Sequence, residues 1–281
     1  MRIAVVTCED CPYPAPDDAL LVEALSERSI DAKRVAWSDP TIDWYVFDAA
    51  VLKSTWDYHH RLQEFLAWTA GVSNTLRLFN PSSVVHWNAH KFYLLELEEK
   101  GVRIVPTQFI EQGCTGTECE WPEVVVKPAI AASAYKTIVA RSGSPEASAH
   151  LRELLAAGDA LVQPYLSSVE EGERSLIFID GQLSHATLKR PKSGDFRVQV
   201  EHGGSIELSE TTPAEIQVAQ EALGALSEQP IFARVDLLNL DSGEPALSEL
   251  ELIEPDLMME FYPEAAERLA EALLKKLSLS S

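Results

Sequence analysis

Near the C-terminus the chain reads Ile231-Phe-Ala-Arg-Val-Asp-Leu-Leu238, then Asn239-Leu-Asp-Ser-Gly-Glu244, then Pro245-Ala-Leu-Ser-Glu-Leu-Glu-Leu-Ile-Glu254. Both outer segments alternate with period two, which predicts two strands. The segment between them has loop chemistry, so the pair reads as a β-hairpin. Arg234 and Asp236 share one face of the first strand; Glu249 and Glu251 share one face of the second. Val235, Leu237, Leu250 and Leu252 fill the other faces and are expected against a core. A register centred on the turn sets Asp236 opposite Glu249 and Arg234 opposite Glu251. Like charges directly across a sheet destabilise it. Three carboxylates on a half-buried face therefore call for a cation, and oxygen-only ligands select a hard one, Mg²⁺ or Mn²⁺. Magnesium on a few carboxylates usually holds substrate phosphates. The competing reading is a solvated acidic edge that guards the sheet against aggregation.

The 281 residues exceed a typical single-core domain and predict two or three. A net charge of −21 argues against nucleic acid and anionic membranes as partners. No apolar run approaches the roughly 20 residues that span a bilayer. Met1-Arg2 runs straight into a strand without a signal-peptide pattern, so the expected location is cytoplasmic. Four cysteines are present: Cys8 and Cys11 form a C-x-x-C, and Cys114 and Cys119 form a looser pair. Four thiolates would suit zinc, and a C-x-x-C can be redox-active. The second spacing is loose for zinc, and Cys8 ends a strand where a small apolar residue serves well.

Outward from the hairpin, the N-terminal third alternates strands and helices. Strands are expected at 2–7, Asp31–Trp37 and Trp44–Lys53. Helices are expected from Asp17-Asp18 to about Ser29, and from about Tyr58 to Ala70 with Leu62, Phe65, Leu66 and Thr69 at helical spacing. This predicts an α/β, doubly wound, mostly parallel sheet, with functional loops at the strands' carboxyl ends, Thr7–Asp18 and Lys53–Arg61. After Asn80-Pro81, Ser82 and Asn88 are candidate helix caps, the second helix running from Lys91 through Leu94, Leu95 and Leu97 to Gly101. Arg103–Pro106 reads as a strand and Gln112–Pro122 as a link. Strands at 123–127, 135–141 and 160–165 surround a helix at 145–156. From Ser167 the pattern turns mainly antiparallel: 173–180, 183–190 and 196–208. A helix at 213–226 precedes the hairpin, and Glu264–Leu277 closes the chain as a helix. The C-terminal part is thus α+β.

Val124-Val-Val-Lys127-Pro128 ends an apolar strand with a lysine, and a run of mostly small residues from Ala129 to Thr137 follows. Small residues let backbone N–H groups approach phosphate oxygens closely, and a neighbouring lysine adds charge. No P-loop pattern occurs. Leu161-Val-Gln163-Pro-Tyr-Leu166 is an apolar strand ending in side-chain and backbone hydrogen-bonding groups that could read an adenine edge. Lys189, Arg190 and Arg197 gather positive charge in an acidic chain, which suits an anionic ligand.

Taken in order, Lys91, Lys127, the loop 129–137, Gln163 to Leu166, Glu173, Lys189, Ala233-Arg-Val-Asp236 and Glu249-Leu-Glu251 resemble the ATP-grasp ligases over nearly the whole chain. Thr7-Cys-Glu-Asp10, Pro16-Asp-Asp18, Ser54-Thr-Trp-Asp-Tyr58, Asn80-Pro81, Trp87-Asn88, Lys189-Arg-Pro191 and Gly194-Asp-Phe-Arg197 resemble the subgroup of the cycloserine-forming cyclo-ligase. The resemblance implies three parts: a Rossmann-like domain at 1–88, a lid subdomain at 89–165 and an antiparallel-sheet subdomain at 166–281. It implies that Lys91 and Lys127 hold ATP phosphates and that the loop Ala131–Lys136, with Ser133, folds over them as a lid. Gln163 and the backbone at Tyr165 and Leu166 would hold the adenine, Glu173 the ribose, and Lys189 the γ-phosphate. Asp236, Glu249 and Glu251 would carry magnesium, and Arg234 would stabilise an oxyanion. Many relatives have asparagine at the place of Glu251 and glycines where this lid has alanines and serine.

The implied activity is ATP-dependent carboxylate–amine ligation on a small amino-acid-like substrate through an acylphosphate, intermolecular or cyclising. Homodimers are common in such enzymes. Substrate contacts are expected from Lys53, Thr55, Trp56, Asp57, Tyr58 and Arg61, and from Arg190, Arg197 and His202-Gly203-Gly204, Arg197 with a catalytic part. His59-His60 reads as a solvated helix start, and Trp37, Trp44, Trp68 and Trp87 as core. Two other classes compete. A catalytically inactive ATP-binding scaffold would not release ADP, and a zinc or thiol-redox protein would carry stoichiometric zinc or a titrating dithiol.

Overall fold

The N-terminal strands sort their side chains by period two onto two helix-covered faces, as a parallel sheet requires. A computed structural model describes residues 1–10, 15–114, 119–192, 194–198 and 203–279. In it β1 (Arg2–Thr7), β2 (Asp31–Ala36), β3 (Ala49–Leu52) and β4 (Arg77–Phe79) form a parallel sheet in the order β2-β1-β3-β4. Ile3, Val5, Ala49 and Val51 face a core shared with α1 (Pro16–Glu27) and the C-terminal helix α7 (Glu264–Ser278). Ala4, Val6, Ala50 and Leu52 face the other way, onto Phe65 and Val72 of α2 (Leu62–Val72) and onto Trp37. The third strand is shorter than its sequence suggests. Trp44–Val46 is a 3₁₀ turn, opened by Asp43, whose carboxylate accepts the Tyr45 N–H.

α3 (Ser82–Asn88) and α4 (Tyr93–Glu99) follow. Neither starts on the expected cap. Pro81 precedes the first and Phe92 the second, without a side-chain cap. Asn88 serves the hairpin instead: its Nδ2 donates to the Leu250 carbonyl at 2.8 Å and its Oδ1 accepts the Leu252 N–H at 2.9 Å. Asn80 does the same one strand over, donating to the Phe232 and Leu252 carbonyls and accepting the Ile231 N–H. A fully satisfied buried amide fixes register, because any slip would leave its groups unpaired.

Arg103–Pro106 is not a ladder strand. Ile104 forms a lone bridge to Leu247, and the strand β5 lies later, at Gln108–Ile110. It joins β6 (Glu123–Pro128), β7 (Ile138–Arg141) and β8 (Ala160–Pro164) in an antiparallel sheet ordered β5-β8-β6-β7, backed by α5 (Pro145–Ala157). The third sheet is antiparallel, in the order β11-β10-β9-β12-β13, from β9 (Glu173–Ile179), β10 (Gln182–Arg190), β11 (Ser205–Leu208), β12 (Phe232–Asn239) and β13 (Pro245–Glu251). Of the strand expected at 196–208, residues 205–208 are extended, while 199–202 lie outside the described residues. α6 (Pro213–Gly224) starts on a capping box between Thr212 and Glu215. The hairpin register is the expected one: Arg234 pairs with Glu251, Val235 with Leu250 and Asp236 with Glu249. Ala233, Val235, Leu237 and Leu250 pack on α4 and α6.

Lys53 sits 2 % exposed at the seam between the first sheet and the segment after β13. Its ammonium pairs with Asp17 at 3.0 Å and donates to the Pro255 carbonyl at 3.2 Å. Asp17 in turn accepts the N–H groups of Leu257 at 2.7 Å and Met259 at 2.8 Å. Removing one partner of such a buried pair costs about 3–5 kcal/mol. Lys53→Met should therefore lower unfolding free energy by about 3 kcal/mol, read by urea denaturation, with nucleotide affinity unchanged.

Candidate active site

The charged face of the hairpin opens into a cavity of about 640 Å³, a size that suits a small-molecule ligand. Its wall combines the two antiparallel sheets with the segment that follows β3. Lys127 comes from β6, Lys189 from β10, Arg234 and Asp236 from β12, and Glu249 and Glu251 from β13. Lys91, Ser133, Gln163, Tyr165, Leu166, Glu173, Arg197, Trp56 and Tyr58 line the same space. They include every residue expected from the sequence at the nucleotide, the ion and the oxyanion, but only part of the expected substrate contacts.

Other expected contacts lie elsewhere. Lys53 is buried in the seam just described. Thr55 is wholly buried, and its hydroxyl has no hydrogen-bond partner among the described residues. Asp57 accepts from the Trp37 indole at 2.8 Å and from Arg61, whose guanidinium stacks over Trp37 at 4.3 Å. Arg190 pairs with Glu207 on the surface. Gly203, at φ +88°, packs against the Lys192 side chain, and a Cβ at Gly204 would strike the Val198 carbonyl. His202 and Cys11 lie outside the described residues. Cys8 is buried at the end of β1, Cys114 is exposed and Cys119 half-buried. Trp37, Trp44 and Trp68 pack with Phe65, as expected of core tryptophans.

Two charge clusters form the floor. Glu249 is held by Lys127 at 2.9 Å and Lys91 at 3.2 Å. Burial would raise its carboxyl, but the two lysines more than reverse this and hold it well below the usual carboxylate range. Asp236 is gripped by Arg234 at 3.0 Å, Lys189 at 3.2 Å and the Ser175 hydroxyl at 2.5 Å. Lys189 also pairs with Glu173, and Arg234 with Glu251. Burial pushes Glu251 up to about 7, with Arg234 offsetting part of the shift and Asp236 and Glu249 adding to it. Among the described residues, no three acidic, histidine or cysteine side chains converge on one point as an ion-ligating set. Each acid of the trio is turned onto a cation of the chain itself.

The loop between β6 and β7 lines the cavity with Ala131, Ala132, Ser133, Ala134 and Thr137. Ser133, Ala134 and Lys136 hold φ of 49°, 54° and 49°, a left-handed conformation that costs non-glycine residues about 1–2 kcal/mol each. Tyr135 at its tip meets the rings of His59 and His60, at centroid distances of 5.5 and 5.3 Å. The two histidines are therefore not a free helix start but the surface on which this loop rests.

Sequence reasoning missed three groups. Tyr93 lines the cavity, and its hydroxyl accepts the Leu250 N–H at 2.9 Å. Glu254 and Asp256 line it too, beyond the end of β13, where period two no longer says which way a side chain points.

Comparison with known proteins fits this arrangement. Residues 112–260 match the family described as prokaryotic glutathione synthetase, ATP-grasp domain, and residues 3–80 match the N-terminal domain of D-cycloserine synthetase DcsG. The chain belongs to the ATP-grasp ligases, enzymes that use ATP and form C–N bonds. It is 34 % identical over 278 residues to the cycloserine biosynthesis protein DcsG of Streptomyces lavendulae, with 92 % of each chain covered. It is 30 % identical over 218 residues to a glutathione synthetase of Prochlorococcus marinus, covering 76 % of this chain and 68 % of that one. The crystal structure of D-cycloserine synthetase DcsG superposes with a TM-score of 0.90 at 31 % identity, covering 99 % of this chain and 100 % of that one. D-alanine–D-alanine ligase from Bacillus anthracis shares the fold at a TM-score of 0.74 and 15 % identity, covering 100 % of this chain and 98 % of that one.

The histidine surface under this loop carries a pH dependence. Burial, then His60, pulls the His59 imidazole down to about 4 from its ordinary 6.5. Between those values the unfolded chain takes up a proton that the folded one refuses, so stability falls as pH drops from 6.5 toward 4. Urea unfolding at pH 7.5 and pH 5 should show His59→Phe losing about 1–2 kcal/mol less than the native protein over that interval.

Proposed function

We propose that the enzyme is an ADP-forming carboxylate–amine ligase that activates its carboxylate substrate as an acylphosphate, with Mg²⁺ or Mn²⁺ at the acid trio. The observation that carries this reading is the lysine-clasped Glu249 beside the arginine- and lysine-clasped Asp236, in one cavity under a small-residue loop. The donor set fits a hard divalent ion, because it is carboxylate oxygen alone. Burial also leaves Glu251 with too little positive charge nearby to ionise at its ordinary pH. Asp236, Glu249 and Glu251 would hold the ion once nucleotide phosphates engage Lys91, Lys127 and Lys189. When bound, it supplies charge neutralisation to the moving phosphoryl group.

The chain's own groups do the rest. Lys91, Lys127 and Lys189 orient the phosphates. Gln163 donates to Thr107 at 2.9 Å, which leaves its carbonyl oxygen free to accept from the adenine amino group, with backbone at Tyr165 and Leu166 completing the edge. Glu173 takes the ribose. A substrate carboxylate oxygen attacks the γ-phosphorus, and the bond to the ADP oxygen breaks. An amine nitrogen, in a second molecule or the same one, then attacks the acyl carbon. Phosphate leaves with the C–O electron pair, and the nitrogen gives up a proton. Arg234, held against Asp236 and Glu251, faces the oxyanion of that step. The lid keeps water from the acylphosphate.

On this reading residues 1–88 present the substrate, 89–165 carry the lid and 166–281 hold the ion. The substrate is small and amino-acid-like, and the setting is cytoplasmic. No helix among the described residues is long and apolar enough to cross a membrane.

A phosphate-release screen of amino acids and amines with Mg-ATP, followed by mass spectrometry of products, tests the reading. Asp236→Asn and Glu249→Gln should each abolish ADP formation with the circular-dichroism spectrum preserved, and undiminished turnover in both would remove the metal assignment. Tyr135→Ala removes the ring that meets His59 and His60. It should raise phosphate release relative to ligated product several-fold, because a looser lid admits water; an unchanged ratio would show that the ring contact does not hold the lid.

A further inference from the structure

Beyond β13 the chain is held at three successive carbonyls. The Trp56 indole N–H donates to the Glu254 carbonyl at 3.1 Å, Lys53 Nζ to the Pro255 carbonyl at 3.2 Å, and Arg234 Nη1 to the Asp256 carbonyl at 3.1 Å. Backbone pinned this way presents its side chains from a rigid platform. The Glu254 side chain lines the cavity from it.

Its charge is not matched. Glu173, Asp236, Glu249 and Glu251 each meet a lysine or arginine. Asp256 accepts the Met258 N–H at 2.8 Å. Among the described residues Glu254 makes no ion pair, and Lys91 and Arg234, both engaged with other acids, act on it only at longer range. Tyr58 lines the same cavity and is 6 % exposed, its ring packed on Phe65 at 5.2 Å, and Glu254 is the charged group that acts on it most strongly. Its hydroxyl has no hydrogen-bond partner among the described residues.

Glu254 is half-buried at the cavity wall, and a carboxylate drawn partly out of water gains from a partner, as does a hydroxyl beside it. The ligand that answers both is compact, positively charged and rich in N–H donors. A primary ammonium fits this description: it has three donors and no acceptor, and an aromatic ring face beside it adds cation–π attraction. An anion would be repelled here, and a neutral hydroxyl would leave the charge unmatched.

We propose that Glu254 and Tyr58 form a subsite for a primary ammonium group of the substrate, which makes the enzyme selective for amine-bearing acids over otherwise identical hydroxy acids. This rests on the ligase reading above and adds the residues that set its specificity.

The test measures phosphate release from Mg-ATP with amino acids and their 2-hydroxy counterparts, with hydroxylamine as the acceptor. The native enzyme should favour the amino acid at least tenfold in kcat/KM. Glu254→Gln should lose tenfold or more, mainly through KM, and the preference should fall toward one. Glu254→Asp, which keeps the charge, should retain part of it, and Tyr58→Phe should lose a smaller share. Thermal melting checks that each variant is folded, and if Glu254→Gln is not, Tyr58→Phe decides by the same ratio. An unchanged preference in the variants, or none in the native enzyme, overturns the proposal. A raised Mg²⁺ requirement with the preference intact also overturns it, by assigning Glu254 to the ion. No phosphate release with any acid would overturn the ligase reading itself, and this inference with it.

Discussion

A carboxylate clasped between two lysines from other parts of the chain is the constraint around which this molecule is arranged. Glu249 projects from the last hairpin, Lys127 from the end of β6 and Lys91 from the turn before α4. Desolvating three charges is expensive, and well-packed apolar residues of similar volume would often be as stable or more so. Stability therefore does not explain why they are there. Their arrangement makes sense as a site kept charged for an anion that will take the lysines and a cation that will take the acids. The neighbouring Glu173–Lys189–Asp236–Arg234–Glu251 chain repeats the device across β9, β10, β12 and β13.

Such a face needs a rigid frame, and short polar side chains supply it. Asn80 and Asn88 thread their amides into the edges of β12 and β13. Asp17 and Lys53 tie the first sheet to the segment after the hairpin. The effect is that one strand face changes character along its length. Ile177, Ile179 and Phe232 close the apolar core near α7, while Arg234 and Asp236 open into the cavity, Asp236 held from beneath by the Ser175 hydroxyl. The loop after β6 rests on His59 and His60 through Tyr135. Residues distant in sequence thereby enclose one volume.

Much of this was legible in the chain. Period-two alternation with a polar turn predicted the final hairpin and its register, and the structure has both. Alternating apolar strands and helices predicted the parallel sheet, and the order of lysines, glutamine and acids pointed to the ligase fold. The errors were of another kind. Asn88 looked like a cap and is a clamp. Lys53 looked like a substrate contact and is a buried strut. The strand expected at 103–106 is a lone bridge, with the ladder strand displaced to 108–110.

The sequence by itself determined which residues share a face and where turns fall, because φ/ψ geometry imposes periods of 2 and 3.6 on any chain. Tertiary structure alone decided what lies opposite each face. Lys127 meets Glu249 across 122 residues and Lys53 meets Pro255 across 202. Local periodicity carries no information about such partners. They decide which charges are neutralised and which, like Glu254, stay open to a ligand.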